Sequence, residues 1–259
     1  MKFFLRPLAV ALMVLGITAA SFDSANAQSF SPEQRGEIEK VIRDYLLRNP
    51  ELLQEVIQEM ERRQAQAEAE KHREAIKEHA QALFNSNRQI VLGNPQGDVT
   101  MVEFFDYNCG FCRKALEDKL ALIKADPKLR LVLKEFPVLG EGSTQAAQVA
   151  VSVRMQDKTG GKKYLEFHQK LFASRGQIDK ARALAVVREI GFDAARAERD
   201  MGSDEVRLTL EEGFKLAEAL GINGTPTYVL NGQVVVGAVG IEKLREAINT
   251  VRCGKATCG

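Results

Sequence analysis

Two cysteines one helical turn apart, in Cys109-Gly110-Phe111-Cys112, are the residues of this chain best suited to chemistry. A thiolate attacks a disulfide sulfur, and a second thiol close by attacks the resulting mixed disulfide and releases the product. The run Val99 to Phe105 reads as a strand and Cys109 to Ala125 as a helix, so Cys109 stands where a strand hands over to a helix N-terminus. Unpaired N–H groups and the helix dipole favour an anion there. Cys109 is therefore expected to ionise below the ~8.5 of a free thiol and act as the nucleophile, with Cys112 resolving. A lone C-x-x-C also occurs in structural disulfides and zinc sites. Zinc would need two further ligands, and Cys253 and Cys258 are spaced more widely, lie in a terminal tail and have no nearby His. No metal or other cofactor is expected.

A second candidate is Gly224-Thr225-Pro226-Thr227, a proline at the start of a strand-like run. A cis peptide at Thr225-Pro226 would set the Thr225 backbone beside Cys109, where its N–H and C=O can pair with an extended substrate segment. Gly110, Phe111, Thr225 and Pro226 form the expected substrate-binding surface.

The elements that must position these groups follow from periodicity and turn residues. From Pro32 to about Phe84 the pattern is helical, with Ile38, Val41, Ile42, Tyr45 and Leu46 on one stripe and Leu52, Leu53, Val56, Ile57 and Met60 on another. Asn49-Pro50 divides them into two helices. Glu61 to Glu78 is rich in Glu, Arg, Lys, Gln and Ala, a good helix former with little to bury, and reads as an exposed stalk, the alternative being a helix that lies along the globular domain. Turn formers at Gly93 to Asp98 open a second domain, with Ile90 to Leu92 as an edge strand. A strand at Leu129 to Phe136 follows the Cys109 helix, then a helical block from Ser143 to about Leu220. Strands at Thr227 to Leu230 and Gln233 to Gly237 flank Asn231-Gly232, a signal for a type I′ hairpin, and Ile241 to Val251 closes as a helix. The expected architecture is an α/β thioredoxin-like fold with a helical insertion, preceded by an N-terminal α-helical segment.

Of the 259 residues 45% are hydrophobic and 27% charged, the balance of a globular protein. Lys2 and Arg6 precede the apolar run Leu8 to Leu15 and the small-residue site Ala25-Asn26-Ala27, the pattern of an export signal over residues 1–27. Loss of Lys2, Arg6 and Asp23 takes the formal charge of +1 to zero, and charges alternate in sign along the helices, so no nucleic-acid partner is expected. The even cysteine count in an exported chain suggests disulfides, and Cys253 and Cys258 can close a small structural loop. His72 and His79 share a face of the stalk as solvated or interhelical polar residues, and His168 decorates an insertion helix.

At Phe104 to Cys112 (FFDYNCGFC), Lys134-Glu135-Phe136-Pro137 and Gly224-Thr225-Pro226-Thr227, the chain resembles the DsbA family of periplasmic oxidoreductases, over about Ile90 to Val251. The resemblance implies a thioredoxin fold with inserted helices, a catalytic C-x-x-C and a cis-Pro loop. Glu103 matches a buried acidic residue of the family that assists proton transfer near the buried cysteine, and Lys134 is its expected partner. Asp44 to Leu53 (DYLLRNPELL) resembles the ScsC-type branch, whose members oligomerise through this segment and act as isomerases or reductases. That implies a homo-oligomer through residues 31–84. The expected domains are the signal at 1–27, a helical segment at 28–88, and a catalytic domain at 89–259 with its insertion at about 141–220.

Strongly oxidising family members carry a His between the cysteines, where this chain has Phe111. A less stabilised thiolate makes a less oxidising disulfide, which favours isomerase or reductase work on exported client proteins, supported by a membrane redox partner. Two alternatives stay open: a dithiol oxidase working in the opposite direction, and an exported copper-binding or surface protein on the same fold.

Overall fold

A computed structural model describes residues 30–258; the export signal expected over residues 1–27 lies outside the described residues. The chain divides into two compact units, one up to Glu59 and one from Met60 onward.

In the first unit, α1 (Pro32–Arg48) starts with a capping box. Ser31 accepts from the Gln34 amide, the Gln34 side chain accepts from the Ser31 amide, and Pro32 takes the position where a missing N–H costs nothing. Asn49 caps its end, and α2 (Glu51–Glu78) begins after Pro50. No residue of α1 is buried. Val41, Ile42 and Tyr45 on α1 and Leu53, Val56 and Ile57 on α2 remain exposed.

In the second unit the sheet order is β1-β3-β2-β4-β5, from β1 (Ile90–Gly93), β2 (Val99–Phe105), β3 (Leu129–Glu135), β4 (Thr227–Leu230) and β5 (Gln233–Val236). β2 and β3 run parallel and the other pairs antiparallel. The parallel pair needs a crossover, which α4 (Gly110–Ala125) supplies. Between β3 and β4 lie the inserted helices α5 (Glu141–Gln156), α6 (Lys162–Ala173), α7 (Lys180–Glu189), α8 (Ala194–Asp200) and α9 (Asp204–Ala219); α10 (Ile241–Cys253) closes the chain.

Strand periodicity sends alternate residues of β2 into two cores. Met101 and Phe105 join a core with Leu122 of α4, Phe167 and Phe172 of α6, and Leu244 of α10. Val102 and Phe104 join another with Leu216 of α9, Leu83 of α3 (Ala80–Phe84) and Ile76. Ile76, 2% exposed, belongs to the C-terminal end of α2, so the stretch read as an exposed stalk supplies a core residue where the sheet's second face needs cover. Gly213 lets α9 approach: a Cβ there would lie 2.4 Å from the Glu135 carbonyl oxygen.

One turn differs from the sequence expectation. Gly232 has φ +89°, but among the described residues no residue other than glycine has positive φ, Asn231 included. A type I′ turn needs both central residues there, so the β4–β5 turn is not type I′; Gly232 alone takes the left-handed conformation.

Candidate functional site

Strand β2 ends at Phe105, and the next residues hold the dithiol loop in place. The Asp106 carboxylate accepts from the Asn108 amide at 2.7 Å, the Ser143 hydroxyl at 2.7 Å and the Leu139 amide at 2.9 Å. Asn108 exchanges hydrogen bonds with the backbone of Ile178, at 2.8 and 2.7 Å, and donates to Ser143 at 3.0 Å. The loop is thus tied to α5 and to the segment before α7. None of these anchors was singled out from the sequence.

Cys109 is the N-cap of α4, and its sulfur accepts from the Cys112 amide at 3.4 Å. Its thiol also reaches the Thr225 carbonyl oxygen at 3.1 Å, next to the cis Thr225–Pro226 peptide. Both thiols are free. The Cys112 thiol beside it, with the amides of Cys112 and Phe111, draws Cys109 down to about 5, against the opposing effect of burial. Burial pushes the Cys112 thiol far up, and neighbouring Cys109 and Glu103 add to this. Near neutral pH one sulfur is therefore charged, on a residue that keeps 6% of its surface exposed, while the other stays neutral and fully enclosed. Phe111 projects outward, 68% exposed. The lowering of Cys109 comes from groups other than that side chain, so the absence of His carries less weight than the sequence argument gave it.

Glu103 is fully buried on the face of β2 that looks towards α4. Its expected partner, Lys134, is not there. In the parallel register Lys134 stands opposite Phe104, and Glu103 opposite Leu133, so the lysine projects from the other face of the sheet. Lys134 instead donates to Glu212 at 2.6 Å and to the Ala82 carbonyl at 2.7 Å. The cation beside Glu103 is Lys119 of α4, at 2.5 Å, with both side chains out of solvent. Burial raises the Glu103 carboxyl even so, Lys119 opposing it. Its Oε1 and the Tyr228 hydroxyl, whose residue is Glu103's register partner on β4, are buried without a hydrogen bond.

The sequence carried a signal for Lys119: Cys112, Ala115, Lys119 and Leu122 make the buried stripe of α4. His168 is on an insertion helix as expected, but inside the core. It lies on the apolar stripe Tyr164, Phe167, His168, Leu171 and Phe172 and is buried in the core at 1% exposure. Cys253 and Cys258 are joined in a disulfide with Cα atoms 6.0 Å apart. His72 and His79 belong to no cluster of three or more metal-ligating residues among those described.

Sheet order, inserted helices and a dithiol heading the helix after the central strand define a thioredoxin-like domain with a helical insertion. Residues 100–249, more than half of the chain, match the DSBA-like thioredoxin domain, and the chain belongs to that family. Residues 34–67 match the copper resistance protein ScsC N-terminal domain. A thioredoxin-like oxidoreductase from Silicibacter pomeroyi is 42% identical, with TM-score 0.63 over 66% of this chain and 96% of that one. Proteus mirabilis ScsC in a transitional conformation is 26% identical, with TM-score 0.62 over 86% of this chain and 97% of that one. Disulfide bond formation protein D of Bacillus subtilis is 28% identical over 182 residues, 64% of this chain and 78% of that protein. The chain also matches a Na(+)/H(+) antiporter NhaA 1 of Salinispora arenicola, 26% identical over 168 residues and 65% of this chain, but spans only 25% of that relative's length.

Proposed function

We propose that this protein is a periplasmic thiol:disulfide oxidoreductase that acts on exported client proteins through Cys109 and Cys112, as an isomerase or reductase. The observation that carries the exchange chemistry, whichever its direction, is the Cys109 sulfur, held near 5 at a helix N-terminus and 3.1 Å from the Thr225 carbonyl; the isomerase or reductase direction rests on the ScsC-type N-terminal segment.

The Cys109 thiolate attacks a client disulfide, and one client sulfur leaves as a thiolate. The mixed disulfide is held against Thr225-Pro226, with Gly110 and the exposed Phe111 ring offering an apolar surface beside it. In isomerisation a client thiol displaces Cys109. In reduction Cys112 attacks Cys109, releases the client and leaves the enzyme disulfide, which a membrane redox partner reduces again. Glu103 takes the proton of Cys112, with Lys119 rather than Lys134 holding its charge.

The layout from the sequence serves this role: an export signal at 1–27, a helical segment at 28–88 and a catalytic domain at 89–259. The exposed apolar residues of α1 and α2 favour self-association through residues 31–84, bringing several thiols to one client. Among the described residues no helix is long and apolar enough to cross a membrane.

One observation favours the opposite direction. A thiolate held near 5 stabilises the reduced form, which makes the disulfide more oxidising. The experiment is reactivation of a ribonuclease with scrambled disulfides by the reduced mature protein, with Cys109→Ser as control. Recovery that needs Cys109 is the expected result. Failure to recover, with rapid oxidation of a reduced substrate, would make the protein a dithiol oxidase.

A further inference from the structure

The end of the chain carries two sulfurs that the exchange steps above leave unused. Cys253 is the last residue of α10, Cys258 is bonded to it at a sequence separation of 5, and residues 253–258 are all exposed. Stapling the end of the helix would be the ordinary use of this ring, and two observations weaken it. A disulfide stabilises more the longer the loop it closes, and this loop is near the short limit. α10 is also held without it, by buried Leu244, Ala247 and Ile248 and by Arg252, which pairs with Asp98 and Asp126 at 2.8 Å each.

The ring is better suited to opening and closing. Exposed disulfides are the ones that exchange, because a thiolate can reach the S–S bond. Each sulfur also stands beside a backbone carbonyl oxygen, Cys253 Sγ 3.8 Å from that of Lys255 and Cys258 Sγ 3.6 Å from that of Asn249. A disulfide sulfur has no hydrogen to donate, but a thiol has one. The opened pair therefore finds two acceptors where the sulfurs already lie. The Gly254 amide donates to the Thr250 carbonyl at 2.9 Å, and the Asn249 side chain to the Ala256 carbonyl at 2.9 Å. Neither bond uses sulfur, so both hold the same turn in the oxidised and the reduced tail.

Geometry sets the partner. Arg252 is anchored at Asp98, just before β2, and at Asp126, the C-cap of α4. Cys109 caps the other end of α4, whose 16 residues span about 24 Å. Cys253 adjoins Arg252, so it cannot meet Cys109 of its own chain. The exposed tail of a second copy can. Gly254, Ala256 and Thr257 are small enough for the segment to lie extended against Thr225-Pro226 of the receiving chain, beside its exposed Phe111.

We propose that Cys253 and Cys258 are a second redox centre, which as a dithiol passes two electrons to the Cys109–Cys112 disulfide of a second copy of this chain. The proposal rests on the reading of Cys109 and Cys112 as an exchange pair. The Cys258 thiol loses its proton and its thiolate attacks Cys109 Sγ of the oxidised copy; the Cys109–Cys112 bond breaks, and Cys112 leaves with the electron pair and takes up a proton. The Cys253 thiol then loses its proton and attacks Cys258. The Cys253–Cys258 bond forms and Cys109 leaves as a thiolate. Two protons have left the tail, one now on Cys112 and one in solvent, and two electrons have passed to the catalytic pair. Cys109, held near 5, is a good leaving group, which favours transfer in this direction. The tail dithiol is the state of a newly exported chain before any oxidant meets it. Each transfer leaves a reduced catalytic pair, the form that isomerisation requires.

The test mixes two variants in equal amounts. The donor is Cys109→Ser/Cys112→Ser with its tail reduced, and the acceptor is Cys253→Ser/Cys258→Ser with its catalytic pair oxidised. Acid quenching, alkylation and mass spectrometry then report the thiols on each chain. The expected result is a closed tail and a reduced catalytic pair, formed at least about tenfold faster than with glutathione at equal thiol concentration, because the docked tail is held in line. When the donor also carries Cys253→Ser, a Cys258–Cys109 adduct between the two chains should accumulate. A tail that stays reduced, or reacts no faster than glutathione, while the same acceptor oxidises a reduced peptide, would overturn the second centre alone. An acceptor that oxidises neither would overturn the exchange reading, and the second centre with it. Should the donor not fold, Cys109→Ser takes its place, because its Cys112 stays enclosed.

Discussion

Glu103 and Lys119 meet at 2.5 Å with side chains 0% and 1% exposed, a complete ion pair enclosed between β2 and α4. Enclosed charges lose hydration that their mutual attraction only partly restores, so removing one partner costs more than the pair contributes. Lys119→Ala is expected to lower the unfolding free energy by about 3–5 kcal/mol, measured by urea denaturation. It should also raise the Glu103 carboxyl further and shift the pH profile of Cys112-dependent release upward. Lys134→Ala breaks a pair on the other face and should leave that profile unchanged. A shift with Lys134→Ala and none with Lys119→Ala would reverse the assignment.

Reactivity of the two sulfurs should separate sharply with pH. Alkylation of Cys109 by iodoacetamide is expected to rise with a midpoint near pH 5 and level off well below neutrality. Native Cys112 should stay unmodified, and both should react after denaturation. Stability follows from the same depression. Between about 5 and the ordinary 9.0, the folded reduced protein carries a thiolate and the unfolded chain a thiol, so the reduced form gains stability as pH rises through that window. The gain is lost as pH falls through about 5. Thermal melts of the reduced protein should show this slope, and Cys109→Ser should remove it.

Close approach of α9 to β3 depends on Gly213, where a Cβ would lie 2.4 Å from the Glu135 carbonyl oxygen. Alanine would gain ~1 kcal/mol of helix propensity. Backbone cannot yield as a side-chain tip can, so Gly213→Ala should be a net destabilisation of about 1–3 kcal/mol in urea melts. A stabilised variant would show that the helix moves outward freely.

Val41 and Ile57 are 67% and 55% exposed on helices that otherwise carry charge. If these faces meet other copies of the chain, Val41→Asp with Ile57→Asp should reduce the mass seen by sedimentation equilibrium to that of one chain. Ribonuclease reactivation should fall more than simple peptide reduction. An unchanged mass would leave residues 31–84 without a role in assembly.

Much of the fold was legible because strand and helix periods differ and turn residues mark the boundaries. The β2 strand, the Cys109 turn, the block of inserted helices and the break at Asn49-Pro50 each follow from a local pattern. The partner of Glu103 was not legible from family likeness. It depends on which face of β3 carries Lys134, and strand register sets that face. Lys119 and His168 could have been found, because each interrupts a buried apolar stripe at helical spacing. A polar residue on such a stripe is read as exposed when its type outweighs its position. Asp106, Asn108 and Ser143 were out of reach, since long-range packing alone brings β2, α5 and Ile178 together. The burial of Ile76 was hidden for the same reason: composition alone does not tell which turn of a charged helix covers a sheet.

Exchange through this dithiol requires Cys109 to be the sulfur that first bonds to a client, with Cys112 releasing it. The direct measurement is mass-spectrometric mapping of the adduct formed when Cys112→Ser protein meets a peptide disulfide. The expected result is a stable peptide adduct on Cys109, absent in Cys109→Ser and transient in the unaltered protein. An adduct on Cys112 in the unaltered protein, or none on Cys109 in Cys112→Ser, would contradict it.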